Sequence, residues 1–575
     1  MAFLRALAIL VCPGLLYCQI ATFPLSQVKR GLIGTGKTVF EGDRVDDFRV
    51  EVLGVIENLG PKQSIILARL SGGPLEKTGV MQGMSGSPVY IDGKLLGAVA
   101  LTFAFSKEPI AGIRPIQEML DLEKGPGGGM RPGDKASLVQ TASGQQSRMI
   151  EIATPLSFGG FTRGAMEQFG PQLRGMGLEP VQGNTGGGNP EPVFGDPKLV
   201  RAGTMISVQL MAGDMSVSAE GTVTAVDGGR VYAFGHRFLE SGPTALPFAR
   251  AEVLALLPNV SASFKISASR EWMGAITQDR SVGIAGALGR RVRMIPLTVA
   301  VNSQARSTQY RMRMVDDRVM SPLLLQMAVF SSLDATERTM GPATLAVTGM
   351  IEFEGGLPPV RLDNLYSGDF NLPLQASLNT ALPLSYILQS GFDQLRIKNI
   401  RIDVGTSDRR KQWQIDQVVS SAREVRPGDT VEIVTVLNGE NGVELLRKSQ
   451  YQIPVGAGPG PLFFTVSDAS SSNLGDYQQW IGSSPRTPDQ VVDFLNGLRP
   501  NNKAFVRVWR QDPSYQANGQ DLPGLPASAA LIFARQQTAS GATALGRGSK
   551  VAEIALDAGD GVVTGSKTLQ VDIRE

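Results

Sequence analysis

Short runs of β-branched and other apolar residues, most of them ended by Gly, Pro or Asp, follow one another along this chain. Strand-length runs separated by turn-forming residues are typical of all-β barrels and sandwiches. The chain has 575 residues, including 67 Gly and 35 Pro, and this length allows about three or four domains. The pattern therefore predicts a mainly β protein of several domains.

The clearest strands and helices can be predicted from the same pattern. Two Gly-rich stretches, 125–134 and 182–192, are typical of linkers or loops. Asp227 and Gly228 form a pair that favours positive φ, so they predict a hairpin turn. The predicted strands are 48–56, 64–70, 88–100, 205–210, 396–404, 430–437 and 504–509, and the predicted helices are 116–122, 165–173, 323–333, 374–388 and 488–498.

Rare residue types exclude several kinds of site. The chain has a single histidine, His236, and two cysteines, too few for a His-rich metal site, a zinc ribbon or an iron–sulfur cluster. Its formal net charge of +2 lacks the basic excess of a dedicated nucleic-acid binder. We therefore expect no metal, no organic cofactor and no nucleic-acid partner, and any imidazole chemistry falls to His236.

Residues 1–21 have the shape of a secretory signal peptide. Arg5 provides a positive charge, and residues 6–17 form a short apolar stretch interrupted by Pro13. Both cysteines, Cys12 and Cys18, lie in this segment, and a lipoprotein signal is a second interpretation. No later stretch is long and apolar enough to span a membrane. We expect export to the periplasm, the cell surface or the medium without an integral span, and the oligomeric state stays open.

Residues 31–38, GLIGTGKT, satisfy the pattern of a phosphate-binding P-loop. A true P-loop lies between a buried strand and a helix. The preceding residues are not a hydrophobic strand, and the following ones alternate as strands do. We therefore favour a loop or hairpin over nucleotide binding.

Ser85 lies in the sequence GMSGSP, between small residues that permit a sharp bend. Such a bend exposes a nucleophile and lets neighbouring N–H groups face one oxyanion. A hairpin with an Asp92-Gly93 turn follows, as in chymotrypsin-like serine peptidases. The α/β-hydrolase elbow fits less well, because it needs Gly where Ser87 stands. An ordinary Gly/Ser turn remains the alternative.

His236 follows a predicted strand in RVYAFGHRFLESGP. It is the one residue available as an imidazole base, and like Ser85 it lies next to a hairpin with an Asp-Gly turn. A lone histidine is more often a structural or surface residue, so both interpretations stay open.

The two segments together resemble the SpoIVB peptidase family of secreted, chymotrypsin-like serine peptidases. GMSGSPVYIDGKLLGAVA is similar to the serine segment of that family, and GTVTAVDGGRVYAFGH is similar to its histidine segment. The resemblance covers about residues 30–122 and 203–300. It implies a double β-barrel with Ser85 as nucleophile, His236 as general base and the N–H groups of Gly83 and Ser85 as oxyanion hole. The serine segment precedes the histidine segment here, which implies a circularly permuted order.

The third member of a triad is not assigned by the resemblance. The family has an Asp shortly before the serine motif, whereas this chain reads LARLSGGPLEKTG, with Ser71 near that place. Asp279 and, as an alternative, Asp214 are candidates to orient His236, and either could be a turn or salt-bridge residue. A Ser–His dyad also stays open.

These observations predict a secreted serine endopeptidase that cleaves a protein or peptide substrate. The alternative is a catalytically inactive, peptidase-like binding or scaffold protein of the cell envelope. A β-rich, sandwich-like C-terminal region with a few helices would follow the barrels. The predicted segments are a signal peptide (1–21), a serine-bearing half (25–124), a Gly-rich linker with an inserted segment (125–195), a histidine-bearing half (196–304), a mixed connector (305–394) and the C-terminal β-rich region (395–575).

Overall fold

The structure is a computed structural model, and it describes most of the chain after residue 19. Residues 1–19 of the predicted signal peptide, all of the Gly-rich stretch 125–134 and most of the stretch 182–192 lie outside the described residues. The described ranges are 20–60, 63–103, 106–123, 138–140, 146–183, 191–260, 262–303, 306–336, 340–481, 487–511, 514–517, 520–522, 526, 528–529, 531–532, 542–545 and 548–575.

Six antiparallel strands in the first part of the chain form a ring of pairings, the serine-side ring. The paired order is β4-β1-β2-β3-β6-β5, and β5 pairs again with β4, so the series of pairings returns to the strand at which it begins. The elements are β1 (Ile33–Glu41), β2 (Arg44–Gly60), β3 (Gln63–Ser71), α1 (Leu75–Thr78), β4 (Pro88–Ile91), β5 (Lys94–Phe103), β6 (Ile110–Pro115) and α2 (Ile116–Leu120).

A short connecting region follows this ring. Strand β8 pairs with β5 of the serine-side ring, and β9 and β10 run parallel on either side of helix α3 in the sequence. A helical crossover between parallel strands is the usual way to join them. The elements are β7 (Leu138–Gln140), β8 (Gln146–Glu151), β9 (Thr154–Gly159), α3 (Arg163–Gly175) and β10 (Leu178–Gln182).

A second set of six strands forms another ring, the histidine-side ring. Its order is β12-β13-β16-β15-β14-β11, and β11 pairs again with β12. Leu95 and Ala98 of the first ring share one apolar cluster with Ala225, Tyr232 and Ala285 of the second. The elements are β11 (Met205–Gly213), β12 (Ser216–Asp227), β13 (Arg230–Ala233), β14 (Gly242–Leu257), β15 (Phe264–Arg280) and β16 (Gly283–Leu288).

The next part of the chain combines five strands with two helices. The strand order is β18-β17-β21-β19-β20, in which β17 and β21 are parallel and the other pairs are antiparallel. The elements are β17 (Ile295–Asn302), β18 (Ser307–Met314), α4 (Met320–Asp334), β19 (Met340–Phe353), β20 (Val360–Phe370), α5 (Leu372–Ser390) and β21 (Ile397–Ser407).

Two further sheets pack together as a sandwich at the C-terminal end. Their orders are β25-β24-β22-β32 and β23-β33-β26-β27-β31, and one apolar core joins Val431 and Ile433 of the first to Phe464 and Val506 of the second. The elements are β22 (Gln412–Ser420), β23 (Glu424–Val425), β24 (Thr430–Asn438), β25 (Glu444–Gln452), β26 (Gly460–Asp468), α6 (Ala469–Ile481), α7 (Pro488–Asn496), β27 (Lys503–Arg510), β28 (Ser514–Ala517), β29 (Gln520–Leu522), β30 (Ala542–Leu545), β31 (Ser549–Asp557), β32 (Val562–Thr564) and β33 (Ser566–Ile573).

The chain divides into two compact units. The first comprises Met1–Phe161 with Met166–Arg293, and the second comprises Thr162–Ala165 with Met294–Glu575. The mainly β fold class is confirmed. The predicted hairpin turn was one residue too early, because the positive φ angles fall on Gly228 (53°) and Gly229 (85°) while Asp227 ends β12. Among the described residues, no helix combines the length and apolarity needed to cross a membrane.

Candidate active site

Ser85 lies between α1 and β4 in two successive β-turns of the first unit. The N–H of Met84 donates to the carbonyl oxygen of Met81 (3.1 Å), and the N–H of Ser87 donates to that of Met84 (2.9 Å). The third residue of each turn is glycine, with φ of +89° at Gly83 and +90° at Gly86. A turn with positive φ at this position requires glycine, so GMSGSP folds into this double turn because of its two glycines.

Strand β12 of the histidine-side ring holds the double turn from one side. The N–H of Thr222 donates to the carbonyl oxygen of Ser85 (2.8 Å), and its hydroxyl donates to that of Gly83 (2.9 Å). The hydroxyl of Thr224 donates to the carbonyl oxygen of Gly86 (2.7 Å). Buried hydroxyl and N–H donors therefore direct the carbonyl groups of Gly83, Ser85 and Gly86 toward β12.

The N–H groups of Gly83 and Ser85 form no hydrogen bond with any described residue. Buried or half-buried N–H groups are nearly always paired, so two free donors in one tight turn are unusual. Free N–H groups beside a serine hydroxyl are what an oxyanion hole requires. The structure thus leaves free the two donors that the sequence predicts for this role.

His236 lies in the loop between β13 and β14, directly after a strained turn. The N–H of Gly235 donates to the carbonyl oxygen of Ala233 (2.9 Å), which makes Phe234 the centre of a γ-turn with φ of +70°. A γ-turn with positive φ is rare and strained, and strain in such a residue costs about 1–3 kcal/mol. The ring of Phe234 is fully buried, and this packing holds the strained turn in place.

The imidazole of His236 is oriented by a backbone carbonyl group. Its Nδ1 lies 2.7 Å from the carbonyl oxygen of Arg237. A carbonyl oxygen only accepts, so Nδ1 carries the hydrogen and the neutral ring has its lone pair on Nε2. Burial lowers the pKa of His236, and the charge of Glu151 acts in the opposite direction. The ring is therefore kept neutral with Nε2 as its basic atom.

Asp279 holds the loop that carries His236. Its carboxylate accepts hydrogen bonds from the N–H groups of Phe238 (2.9 Å), Leu239 (2.6 Å) and Ser241 (3.4 Å). Burial raises the pKa of Asp279, and these donors oppose the rise. The predicted alternative, Asp214, is exposed in the turn between β11 and β12. The acceptor on Nδ1 is thus the Arg237 carbonyl oxygen, and Asp279 acts on the loop behind it.

The backbone segments beside Ser85 and His236 meet at the carbonyl oxygen of Val99. The N–H of Gly86 donates to this oxygen (2.8 Å), and a Cβ on Gly235 would lie 3.3 Å from it. The hydroxyl of Ser85 and Nε2 of His236 are both buried and have no hydrogen-bond partner, so they are not bonded to each other. Ser85 is 0% and His236 2% exposed, which makes this a closed arrangement.

A known protein family matches the part of the chain that contains Ser85. Residues 19–120 match the model of the SpoIVB peptidase S55 family. The matched segment contains the complete serine-side ring, the double turn and Ser85, and it spans less than a fifth of the chain. Comparisons with curated proteins and with solved structures gave no significant match. The match supports a serine peptidase of the SpoIVB type in general terms and does not extend to His236.

Charged residues around His236 were missed by the sequence analysis. Arg237 bonds to Glu151 (3.1 Å) and Glu240 (3.3 Å), and the side chain of Arg114 reaches the carbonyl oxygen of Gly235 at 3.5 Å. Glu151 belongs to β8, far from His236 in sequence, so no local motif could reveal it. This network fixes both ends of the short loop that carries the imidazole.

A groove of about 280 Å³ adjoins the segment that enters the double turn. It is lined by polar and apolar groups that include Thr78, Val80, Gln82, Glu151 and Ser263. Glu151 thus contacts both the groove and Arg237 of the histidine loop. The groove lies beside the matched serine segment.

The described residues do not support two other kinds of site, a phosphate-binding loop and a metal site. The P-loop-like residues Lys37 and Thr38 lie on strand β1, so they form no phosphate-binding loop. Within the described ranges, no three His, Cys, Asp or Glu side chains are grouped so as to hold a metal ion.

Proposed function

We propose that this protein is an exported serine endopeptidase that cleaves protein or peptide substrates by acyl transfer to Ser85. The observation that carries the proposal is the double turn, in which a buried serine hydroxyl lies beside two unpaired N–H groups. The family match over the same residues supports a serine peptidase. The neighbouring neutral imidazole of His236 supplies a base in the required tautomer.

In the proposed reaction, the hydroxyl oxygen of Ser85 attacks the scissile carbonyl carbon while Nε2 of His236 takes the hydroxyl proton. The N–H groups of Gly83 and Ser85 bind the resulting oxyanion. His236 then gives the proton to the leaving amine, and a water molecule activated by the same imidazole hydrolyses the acyl-enzyme. The imidazolium formed in between is oriented by the Arg237 carbonyl oxygen, so the site works as a Ser–His dyad supported by a backbone acceptor.

The closed arrangement requires a movement before catalysis. Proton transfer needs Ser85 Oγ and His236 Nε2 at about 2.6–3.2 Å, and such bonds often form only when the substrate is bound. Both atoms are unpaired and enclosed in the structure. Substrate in the adjoining groove would therefore open the site and bring the two side chains together.

Export is proposed from the N-terminal sequence, where Arg5 precedes the apolar residues 6–17. This would place the peptidase in the periplasm, at the cell surface or in the medium. The C-terminal sandwich has an apolar core of its own and lies outside the matched segment. We propose that it binds a partner or positions the peptidase.

Labelling with a fluorophosphonate probe tests the activity, since such probes react with activated serine nucleophiles. We expect one phosphonyl group on Ser85, no label in Ser85→Ala and greatly reduced labelling in His236→Ala. Ser87→Ala is the matched control, because the Ser87 hydroxyl is also fully buried and unpaired, and the one group of Ser87 that takes part in the double turn is its backbone N–H, which alanine keeps. Folded protein that takes up no label would support the inactive, peptidase-like binding protein instead.

A further inference from the structure

Lys265 is a buried lysine with no acidic partner. Lys265 is 1% exposed, and its ammonium nitrogen donates a hydrogen bond to the hydroxyl oxygen of Thr38 at 2.8 Å. No described carboxylate lies within salt-bridge distance of it, and Thr38 is itself fully buried. A buried lysine without a counter-charge costs stability. Such a residue needs a physical reason for its position.

The aliphatic part of Lys265 packs against the oxyanion turn. A Cβ placed on Gly83 would lie 3.2 Å from Cδ and 3.4 Å from Cγ of Lys265, and 3.4 Å from Cε of Met205. The lysine stem therefore fills the space next to the Gly83 α-carbon. From this position, any displacement of Gly83 toward the histidine-side ring would meet the stem.

The backbone at the start of β15 holds the same segment. The N–H of Gln82 donates to the carbonyl oxygen of Ser263 (2.9 Å), and the N–H of Lys265 donates to that of Gln82 (3.3 Å). In a trans peptide the N–H points away from the preceding carbonyl group. Because the Gln82 carbonyl group faces β15, the N–H of Gly83 must point away from β15.

A direct catalytic role for Lys265 does not fit these contacts. The hydroxyl of Ser85 has no hydrogen-bond partner, so the amine does not act on it in this arrangement. The amine is instead tied to Thr38 on β1 of the serine-side ring. Lys265 thus reaches from the histidine-side ring, past Gly83, to the opposite ring.

We propose that Lys265 is a positioning residue for the oxyanion hole: its stem supports Gly83 and its bond to Thr38 keeps that stem extended. The proposal rests on the proposed function for its catalytic consequence, but not for the structural one. Burial lowers the pKa of Lys265 to about 7, so the amine loses its charge readily in this apolar surrounding. Thr38, which accepts the bond from the amine, and Gly83, beside the stem, carry no ionisable side chain.

Three variants test the proposal on the full chain. Lys265→Ala removes the stem, Lys265→Met keeps a stem of similar size without the amine, and Lys94→Ala is the control at an exposed lysine on β5. Hydrogen exchange across residues 78–87 is followed by mass spectrometry, and the rate and affinity of fluorophosphonate labelling are measured separately on the same samples.

We expect faster exchange across residues 78–87 in Lys265→Ala, and near-normal exchange in Lys265→Met. The maximal labelling rate of Lys265→Ala should fall about 10- to 100-fold with little change in probe affinity, since a displaced oxyanion donor acts on the transition state. Lys265→Met should recover to within about threefold, because volume-conserving changes are tolerated best.

Unchanged exchange in Lys265→Ala, relative to Lys94→Ala, would overturn the proposal. So would a labelling rate per folded molecule equal to that of the unaltered protein, because a merely structural lysine would lower stability alone. If the unaltered protein takes up no label, the proposed function fails, and the exchange data still decide whether Lys265 positions Gly83.

Discussion

Gly86 packs tightly against the backbone of the histidine-side ring, and Gly86→Ala should separate the serine turn from that ring. A Cβ there would lie 2.0 Å from the carbonyl oxygen of Thr222 and 2.5 Å from the backbone nitrogen of Phe234. Both contacts are with backbone atoms, so no side-chain rotation can relieve them. One of the two segments must move by about an ångström.

The magnitude follows from comparison with Gly93→Ala. Gly93 also has positive φ (+74°), but a Cβ there meets nothing within 4 Å. Both substitutions place an alanine in the left-handed region, which costs about 1–2 kcal/mol. Both also reduce the conformational entropy of the unfolded chain by the same amount. Only Gly86→Ala adds the steric conflict, so we expect its unfolding free energy to be about 1–3 kcal/mol lower than that of Gly93→Ala.

Denaturant unfolding of the first unit measures this difference. Trp272 is the one tryptophan of that unit, and replacing Trp413, Trp480 and Trp509 of the second unit by Phe makes the fluorescence specific. Gly86→Ala should also lose fluorophosphonate labelling, whereas Gly93→Ala should keep it. Equal unfolding free energies for the two variants, within about 0.5 kcal/mol, would refute the close packing inferred at Gly86.

Three further predictions concern ionisable groups of the first unit. Burial raises the pKa of Glu220 from 4.5 to about 7, so between these pH values the folded state holds a proton that the unfolded chain releases. The unfolding free energy should therefore fall by about 3 kcal/mol as pH rises from 4.5 to 7. Denaturation at pH 5 and pH 8 should show a smaller difference in Glu220→Gln. Burial lowers the pKa of His236, so labelling should persist below pH 6.5 and fall only at lower pH, when Nε2 becomes protonated; a midpoint above pH 7 would contradict this. Asp279→Ala leaves three loop N–H groups without their carboxylate, and it should slow labelling by less than the roughly 10⁴-fold loss expected for a triad aspartate. A loss of that full size would contradict the assignment of Asp279 to the loop backbone.

The sequence was sufficient for the elements whose signals are local. Glycine spacing around Ser85 predicted a sharp turn before a hairpin, and the structure has a double turn with positive φ at Gly83 and Gly86. Because the chain has a single histidine, the sequence predicted His236 as the one possible imidazole base, and it lies in a strained loop beside that turn. Whether Ser85 and His236 act together stays a prediction.

Other features of the site depend on contacts between distant residues. The acceptor on Nδ1 of His236 is a backbone carbonyl group, which every residue possesses, so no side chain marks it in the sequence. Asp279 was chosen for its position after the histidine, but its carboxylate binds the loop backbone. Lys265 and Glu220 each interrupt a strand-like run, and a charged residue at an inward strand position was a signal that the sequence analysis did not use.

Mass spectrometry after fluorophosphonate treatment decides whether Ser85 is an activated nucleophile. We expect a single phosphonyl adduct that maps to Ser85, with Ser87→Ala labelled normally and Ser85→Ala not labelled. An adduct that persists in Ser85→Ala, or the absence of any adduct on folded protein across pH 6 to 9, would contradict it.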